Sequence, residues 1–342
     1  MPASAHPPHS LVVRPLAAAD VPALVELRWS ALVEEADFGA RTPLVADARE
    51  RVAASTRLLP DHEKVLVRVA VEPSADASAG PPAIVGFALA RAAVWPPIWL
   101  VQRVGEITSL FVVPNRRDRG APEALVARVS DELARRGAQT IRTQVAWGDL
   151  GSRARFEAMG FSAMSRLLSR AATAEDGPAR TESDAEGRLR RATPADVPAL
   201  TLLSMAMLEE NGRVDPRFTP HGEARSGEEV RLAQSAADPE QVVLVHEEKP
   251  GLIVGYAAGR LGRANGLRAA PRPATLTAAY VVPSRRRQGI ARRLAAAVAG
   301  ELVALGAGEL HLHVVARNAD SLAFWGALGY VPHAQLYDRP VA

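Results

Sequence analysis

The residues best placed for chemistry lie between Tyr280 and Leu294, a run reading Tyr-Val-Val-Pro-Ser-Arg-Arg-Arg-Gln-Gly-Ile-Ala-Arg-Arg-Leu. Tyr280, Val281 and Val282 suit the end of a strand, and Pro283 stops it. From Ile290 onward apolar residues return at helical spacing through Leu294, Val298, Leu302 and Leu305, and Gly306 closes the helix. Between strand and helix stands Arg-x-x-Gly-x-Ala, made by Arg286, Gly289 and Ala291. A helix start offers unpaired N–H groups and a partial positive charge. Gly289 and Ala291 carry little or no side chain, so a bulky anion can reach the backbone. Arg285, Arg286, Arg287 and Arg292 add positive field. Such a turn suits a pyrophosphate; the alternative is an ordinary strand–helix turn with a solvated basic face. A second group lies on a strand from His311 to Val315. Alternation puts His311 and His313 on one face, with Leu310, Leu312 and Val314 on the other. His313 could take up a proton near neutral pH. Two histidines at i and i+2 could instead bind a metal, but no third ligand accompanies them and no metal site is expected.

The chain has 342 residues, enough for two domains, with 48% hydrophobic and 23% charged residues and a net charge of +3. Its pI near 9.6 reflects many arginines nearly balanced by acids. There is no basic tail with interleaved aromatics, which argues against a nucleic-acid partner. There is no cysteine, hence no disulfide, thiol nucleophile or cysteine-based metal site. Residues Met1 to Ser10 are rich in Pro, His and Ser and lack the apolar core of a signal peptide. No apolar run approaches membrane-span length. The expectation is a soluble cytoplasmic protein with no membrane partner.

The elements that would position these residues occur twice. Leu110 to Pro122 aligns with the basic run, and Gly289 lies 169 residues after Gly120. The same offset relates Ile84-Val85-Gly86 to Ile253-Val254-Gly255 and Gly160-Phe161 to Gly329-Tyr330. Ala19-Asp20-Val21-Pro22-Ala23-Leu24 recurs word for word as Ala195 to Leu200, at an offset of 176. The difference is an insertion in the first half, placed at Pro73 to Pro82, which reads as a hairpin loop. Each half begins with a strand (Leu11 to Pro15; Arg188 to Ala192) and a helix with Asp20 or Asp196 as N-cap and Pro22 or Pro198 in its first turn. Two strands follow in each (Val65 to Val71 and Ile84 to Arg91; Val242 to His246 and Ile253 to Arg260). Then come the motif strand, the motif helix, a fifth strand, a short helix and a closing strand. This order predicts an α/β fold with a mixed sheet. The domains read as 11–170 and 188–342, with a charged, aperiodic linker at 171–187.

Val281-Val282-Pro283 followed by Arg-x-x-Gly-x-Ala and an amphipathic helix resembles the acetyl-coenzyme-A motif of the GNAT superfamily of N-acetyltransferases. Asn318-Ala319-Asp320-Ser321-Leu322-Ala323-Phe324-Trp325-Gly326-Ala327-Leu328-Gly329-Tyr330 is similar to the family's Asn-x-x-Ala-x-x-x-Tyr-x-x-x-Gly-Phe run. With the repeat, the chain resembles a tandem GNAT: two domains, each a mixed, mostly antiparallel sheet flanked by helices. The resemblance implies acetyl-coenzyme A as co-substrate and a primary amine of a small molecule or peptide as acceptor, with the second half catalytic. It places the pantetheine arm along Ala279, Tyr280 and Val281, with an N–H near Val281 polarising the thioester carbonyl. It places the pyrophosphate on the amides of Arg287, Gln288, Gly289, Ile290, Ala291 and Arg292, and Asn318 beside the pantetheine.

The first half departs from the pattern. Pro122 lacks an N–H, Asp149 replaces the Asn, and Arg155-Phe156 replaces Phe-Tyr, so its cofactor site is expected to be weak or lost. Glu106 occupies a position where a family base can stand, whereas the second half has Thr275 there and offers His313. Trp325 fills the usual place of an acidic Tyr and cannot supply a proton; Tyr280 and Tyr337 are alternatives. The acceptor pocket of this fold draws on a loop that here holds Trp95, Pro96, Pro97 and Trp99 in the first half and Arg263 to Pro273 in the second. Glu209, Glu210 and Asp215 could attract a cationic amine. Two readings stay open beside the enzyme: a non-catalytic acyl-coenzyme-A-binding module, and a relative of mycothiol synthase. The repeat suggests a monomer with an internal pseudo-dimer, or a homodimer.

Overall fold

A computed structural model describes residues 11–38, 42–72, 83–95, 98–173, 176, 183–184, 187–264, 266–269 and 271–341. The chain divides into two compact units, Met1–Val94 with Arg103–Ser162 and Tyr337–Ala342, and Trp95–Gln102 with Ala163–Leu336.

The first unit contains β1 (Val12–Pro15), α1 (Val21–Glu34), α2 (Ala48–Arg57), β2 (Leu66–Glu72), β3 (Ala83–Val94), β4 (Arg103–Val112), α3 (Ala121–Arg135), β5 (Thr140–Ala146) and α4 (Leu150–Ala158). Its strands lie in the order β1-β2-β3-β4-β5; only β4 and β5 run parallel. Leu24 and Leu27 of α1 pack on one sheet face with Val67, Val69, Phe87 and Phe111.

The second unit is built the same way. After β6 (Ser162–Ala171) come β7 (Ser183–Asp184), β8 (Gly187–Arg191), α5 (Val197–Val214), α6 (Ala224–Ala237), β9 (Gln241–Lys249), β10 (Leu252–Leu261), β11 (Pro273–Val281), α7 (Ile290–Ala304), β12 (Glu309–Val315), α8 (Ala319–Gly326) and β13 (Val331–Pro340). The order is β6-β12-β11-β10-β9-β8-β7, with only β11 and β12 parallel. The sheet separates two cores, and the bulges of β10 and β11 reset which alternate residues face each one. Leu244, Leu276, Leu310 and Leu312 meet Ile290, Leu294, Val298 and Leu302 of α7, while Val243, Val245, Tyr256 and Tyr280 meet Leu200, Leu203 and Leu232 of α5 and α6. Leu305, read from spacing as part of the apolar stripe, is 37% exposed. The helix has ended there, and Gly306 (φ 99°) takes the left-handed turn that follows.

The closing strands of the two halves are divided between the compact units at Ser162 and Tyr337. The closing strand of the first half, β6, pairs with β12 from Ser165↔Val315 to Ala171↔Glu309 and so counts with the second unit. The chain's end counts with the first: Thr140 Oγ1 donates to the Arg339 carbonyl (3.0 Å) and the Val341 N–H to that of Gln139 (3.0 Å). Asp20 and Asp196 do precede α1 and α5, but neither caps forward. Each accepts the N–H three residues back, from Ala17 and Thr193 (2.7 Å each), and binds Arg14 or Arg190. The insertion at 73–82, Met1 to Ser10, and most of 171–187 lie outside the described residues.

Candidate active site

The site begins with a parting of strands. β11 pairs with β10 as far as Gly255↔Val281, but with β12 only from Pro273↔Glu309 to Leu276↔Leu312. The β10 register slips between Ala258 and Gly259, where Thr277 is the extra residue. Such a bulge bends a strand and can end its pairing. Beyond Thr277, β11 continues on β10 and β12 continues on β6, so a wedge opens between them. Backbone alternation decides which groups face it. The Val282 N–H donates to the Val254 carbonyl on β10 (2.9 Å), so the N–H groups of Ala279 and Val281 point the other way, into the wedge. The first unit repeats the device: β4 and β5 pair only from Val104↔Thr140 to Ile107↔Thr143, with a slip at Thr108.

At the wide end of the second wedge, the turn from β11 to α7 is held open by its own ion pairs. Arg285 binds Glu248 (2.8 and 2.9 Å). Arg286 donates from Nε to the Val281 carbonyl (3.0 Å), binds both Glu210 oxygens (2.8 Å), and lies 5.4 Å over the Tyr280 ring. Arg287 (φ 66°) and Gly289 (φ 78°) are left-handed, which turns successive N–H groups inward as an anion-binding nest. No side chain caps the helix start, and a Cβ on Gly289 would meet nothing within 4 Å. Arg287 and Arg292 are exposed and form no ion pair among the described residues. Two arginines therefore build the turn, while two others and the first N–H groups of α7 are free for an anion. These residues fit a pyrophosphate.

The first unit has the same clamp and a closed turn. Arg117 donates to the Val112 carbonyl (2.9 Å), binds Glu34 (2.6 Å) and lies 5.5 Å over Phe111. Gly120 is left-handed (φ 80°). Pro122 takes one N–H from the start of α3, and Glu123 sets a carboxylate in its first turn. Arg155 of α4 then reaches over the turn to the Arg117 carbonyl (2.8 Å), Glu123 (3.1 Å) and Asp118 (3.0 Å). Asp118 and Glu123 occupy the positions of Arg287 and Arg292, so the sign of the charge is reversed.

His313 faces away from the α7 core, as alternation predicts. Its ring is reached by solvent yet closely walled by protein, with Nδ1 3.3 Å from Ser165 Oγ on β6. Desolvation, with His311 adding to it, pushes its pKa below the ordinary 6.5, so the ring is neutral at pH 7 and able to accept a proton. His311 lies 3.2 Å from Glu309 and its ring 5.7 Å from that of His333. Among the described residues no group of three or more His, Asp or Glu could hold a metal. Glu106 lies opposite Arg91 in the β3–β4 register and is bound to it (2.7 Å). It thus has a structural partner in the unit whose turn is closed. Asn318 Oδ1 caps α8 by accepting the Ser321 N–H (3.0 Å), and Asp149 caps α4 in the same way (2.8 Å). The substitution keeps the cap; only Asn318 retains amide protons for a ligand.

Trp325 lies in the core, edge-on to Phe324 and Tyr330. The hydroxyls of Tyr280 and Tyr337 are engaged by Glu210 (3.1 Å) and Glu157 (2.8 Å). Of the acceptor-side acids, Glu209 faces Arg213 (3.6 Å), Glu210 belongs to the clamp, and Asp215 is buried and bound by Arg217 (2.5 Å). The Trp95–Gln102 loop, read from sequence as a wall of the first half, counts with the second unit. Trp99 bridges Pro220 and sits edge-on to Phe218 (5.7 Å), and the His221 N–H donates to the Ile98 carbonyl (2.8 Å). Pro96, Pro97, Asn265 and Ala270 lie outside the described residues. Sequence reasoning missed Ser165, the plug formed by Arg155, and this placement of Trp99. Only the arginine in an aromatic position, Arg155, carried a local signal.

Comparison with known proteins agrees with this architecture. A GCN5-related N-acetyltransferase from Sphaerobacter thermophilus is 21% identical, with 98% of this chain and 96% of that one covered and a TM-score of 0.59. A tandem GNAT protein from the clavulanic acid biosynthesis pathway is 18% identical over 97% and 98% of the two chains, with a TM-score of 0.50. A glucosamine N-acetyltransferase region of a fungal multi-domain β-N-acetylglucosaminidase is 15% identical, covering 97% of this chain and 38% of that one, with a TM-score of 0.54. These likenesses concern the fold. A comparison with curated protein sequences finds no match. The Acetyltransferase (GNAT) family model matches residues 23–161 and again 208–330. The chain belongs to the GNAT acetyltransferase family, as a tandem member with two copies of its fold.

Proposed function

We propose that this protein moves an acetyl group from acetyl-coenzyme A to a primary amine of a small molecule or peptide, and that its second unit holds the coenzyme. The observation that carries the reading is the contrast between the two turns: one is open and basic, the other plugged by Pro122, Glu123 and Arg155. The amides of Arg287 to Arg292 would hold the pyrophosphate, and Ala279, Tyr280 and Val281 the pantetheine arm, with the Asn318 amide beside it. The coenzyme supplies an activated acetyl thioester. The Val281 N–H, aimed into the wedge, would polarise the thioester carbonyl. His313, neutral at pH 7, takes the proton from the attacking amine. With Trp325 in the core and the Tyr280 and Tyr337 hydroxyls engaged by glutamates, solvent water protonates the departing thiolate.

Free thiol released from acetyl-coenzyme A against a panel of amines tests this directly, because the protein contributes no cysteine background. Amine-dependent release is the expected result. The buried Trp325 also favours a second reading, a non-catalytic acyl-coenzyme-A-binding module. Coenzyme binding by calorimetry without release for any amine would establish that reading instead.

A further inference from the structure

A neutral imidazole carries hydrogen on one ring nitrogen and a lone pair on the other, and the hydrogen bond made by one decides the state of both. In His313 the nitrogen that touches protein is Nδ1, with Ser165 Oγ at 3.3 Å. The β6–β12 register sets Leu167 opposite His313 and Ser165 opposite Val315, so Ser165 and His313 are diagonal neighbours on one face. Ser165 is buried and held along its strand. Its carbonyl accepts an N–H from the side chain of Gln335, itself buried (2.8 Å). Two residues earlier the Ala163 carbonyl accepts from Arg217 (2.7 Å), whose guanidinium is fixed by the buried Asp215. The hydroxyl beside the ring is therefore fixed in place. In the repeat, the equivalents of His313 and Ser165 at an offset of 169 are Gln144 and Ala334. The histidine–hydroxyl pair thus occurs once, in the unit whose anion turn is open, with the hydroxyl supplied by the closing strand of the first half.

We infer that, given His313 as the base proposed above, Ser165 is its positioning residue: Oγ accepts the Nδ1–H of His313 and leaves the Nε2 lone pair free for the amine proton. The bond persists through the step. When Nε2 takes the proton the ring becomes an imidazolium that still donates from Nδ1 to Oγ, so Ser165 stays uncharged and gives up no proton. An uncharged partner orients the ring without lifting its pKa as a carboxylate would, in keeping with the depressed value. The opposite polarity, with Ser165 donating to Nδ1, would put hydrogen on Nε2 and block that role.

The test uses full-length protein with ¹⁵N-labelled histidine, without coenzyme, at about pH 8, where the His313 ring is neutral. The chain has eight histidines, and a His313→Asn variant identifies the His313 signals in long-range proton–nitrogen spectra. Wild type should show a protonated Nδ1 and an unprotonated Nε2. Ser165→Ala should move the ring toward the Nε2–H form, and Ser165→Thr, which keeps the hydroxyl, should retain the wild-type pattern. In the thiol-release assay Ser165→Ala should lower kcat about tenfold with KM for acetyl-coenzyme A unchanged, and Ser165→Thr should restore the rate. An unprotonated Nδ1 in wild type, a tautomer indifferent to Ser165→Ala, or equal kcat in Ser165→Ala and wild type would overturn the proposal. A Ser165-dependent Nδ1–H tautomer with no amine-dependent release would uphold the orientation of the ring and overturn instead the reading of His313 as base.

Discussion

At the scale of single residues, the proposal makes His313 the base that would set the pH behaviour. Its pKa is depressed by desolvation and by His311, so the neutral base persists below the ordinary value of 6.5 and is lost only as pH falls further. The pH profile of kcat/KM should therefore show an acidic limb with an apparent pKa below 6.5. His313→Asn should remove the limb and lower the rate on the order of 10²-fold, the usual share of general base catalysis, while coenzyme affinity stays the same. An unchanged limb would assign the base elsewhere. The histidine face was readable from period-two alternation, because Leu310, Leu312 and Val314 must bury against α7. Ser165, which touches the ring, was not. It lies 148 residues away and arrives through a strand pairing that local spacing does not encode. Glu106 teaches the same point: the carboxylate is visible in sequence, and its partner Arg91 only in the register.

At the scale of elements, the strand–turn–helix is one scaffold in two electrostatic states. In both copies an arginine reaches back to the last strand carbonyl and is held by a glutamate of the first helix. The clamp sets the loop's path, and the residues around the glycine decide whether an anion can enter. Pro122→Ala, Asp118→Arg, Glu123→Arg and Arg155→Phe together should reopen the first turn. Calorimetry should then count about two coenzyme sites per chain against the one proposed for the wild type; no gain would mean the closure lies elsewhere. The loss of an N–H at Pro122 followed from sequence alone. The plug did not, since Arg155 comes from a different helix. Within α7, Leu294 is fully buried, and Leu294→Ala should cost about 2–5 kcal/mol by denaturant unfolding. A loss well under 1 kcal/mol would contradict the packing described for this helix.

At the scale of the whole molecule, the repeat made two like units legible, because offsets of 169 and 176 carry every strand and helix of one half onto the other. The division between them was not legible, since each half's closing strand finds its partner by pairing and not by composition. The second unit's entry is tied by Arg190 to Asp196 and Glu247. Hydrogen bonds from Arg190 lower Asp196 from 3.8 to about 2 and Glu247 from 4.5 to about 2. Depressed carboxylates contribute their stability fully above their ordinary values and lose it as pH falls through the folded ones. Stability should thus fall between about pH 4.5 and 2, and Asp196→Asn should flatten that slope; an unchanged slope would remove this pair from the account. The most direct test of the central claim is coenzyme A binding, by calorimetry, to wild type, Gly289→Glu and Gly120→Glu. A carboxylate in the open turn should abolish binding, and one in the closed turn should leave it intact. Binding that survives Gly289→Glu and disappears in Gly120→Glu would place the coenzyme in the first unit and contradict the account.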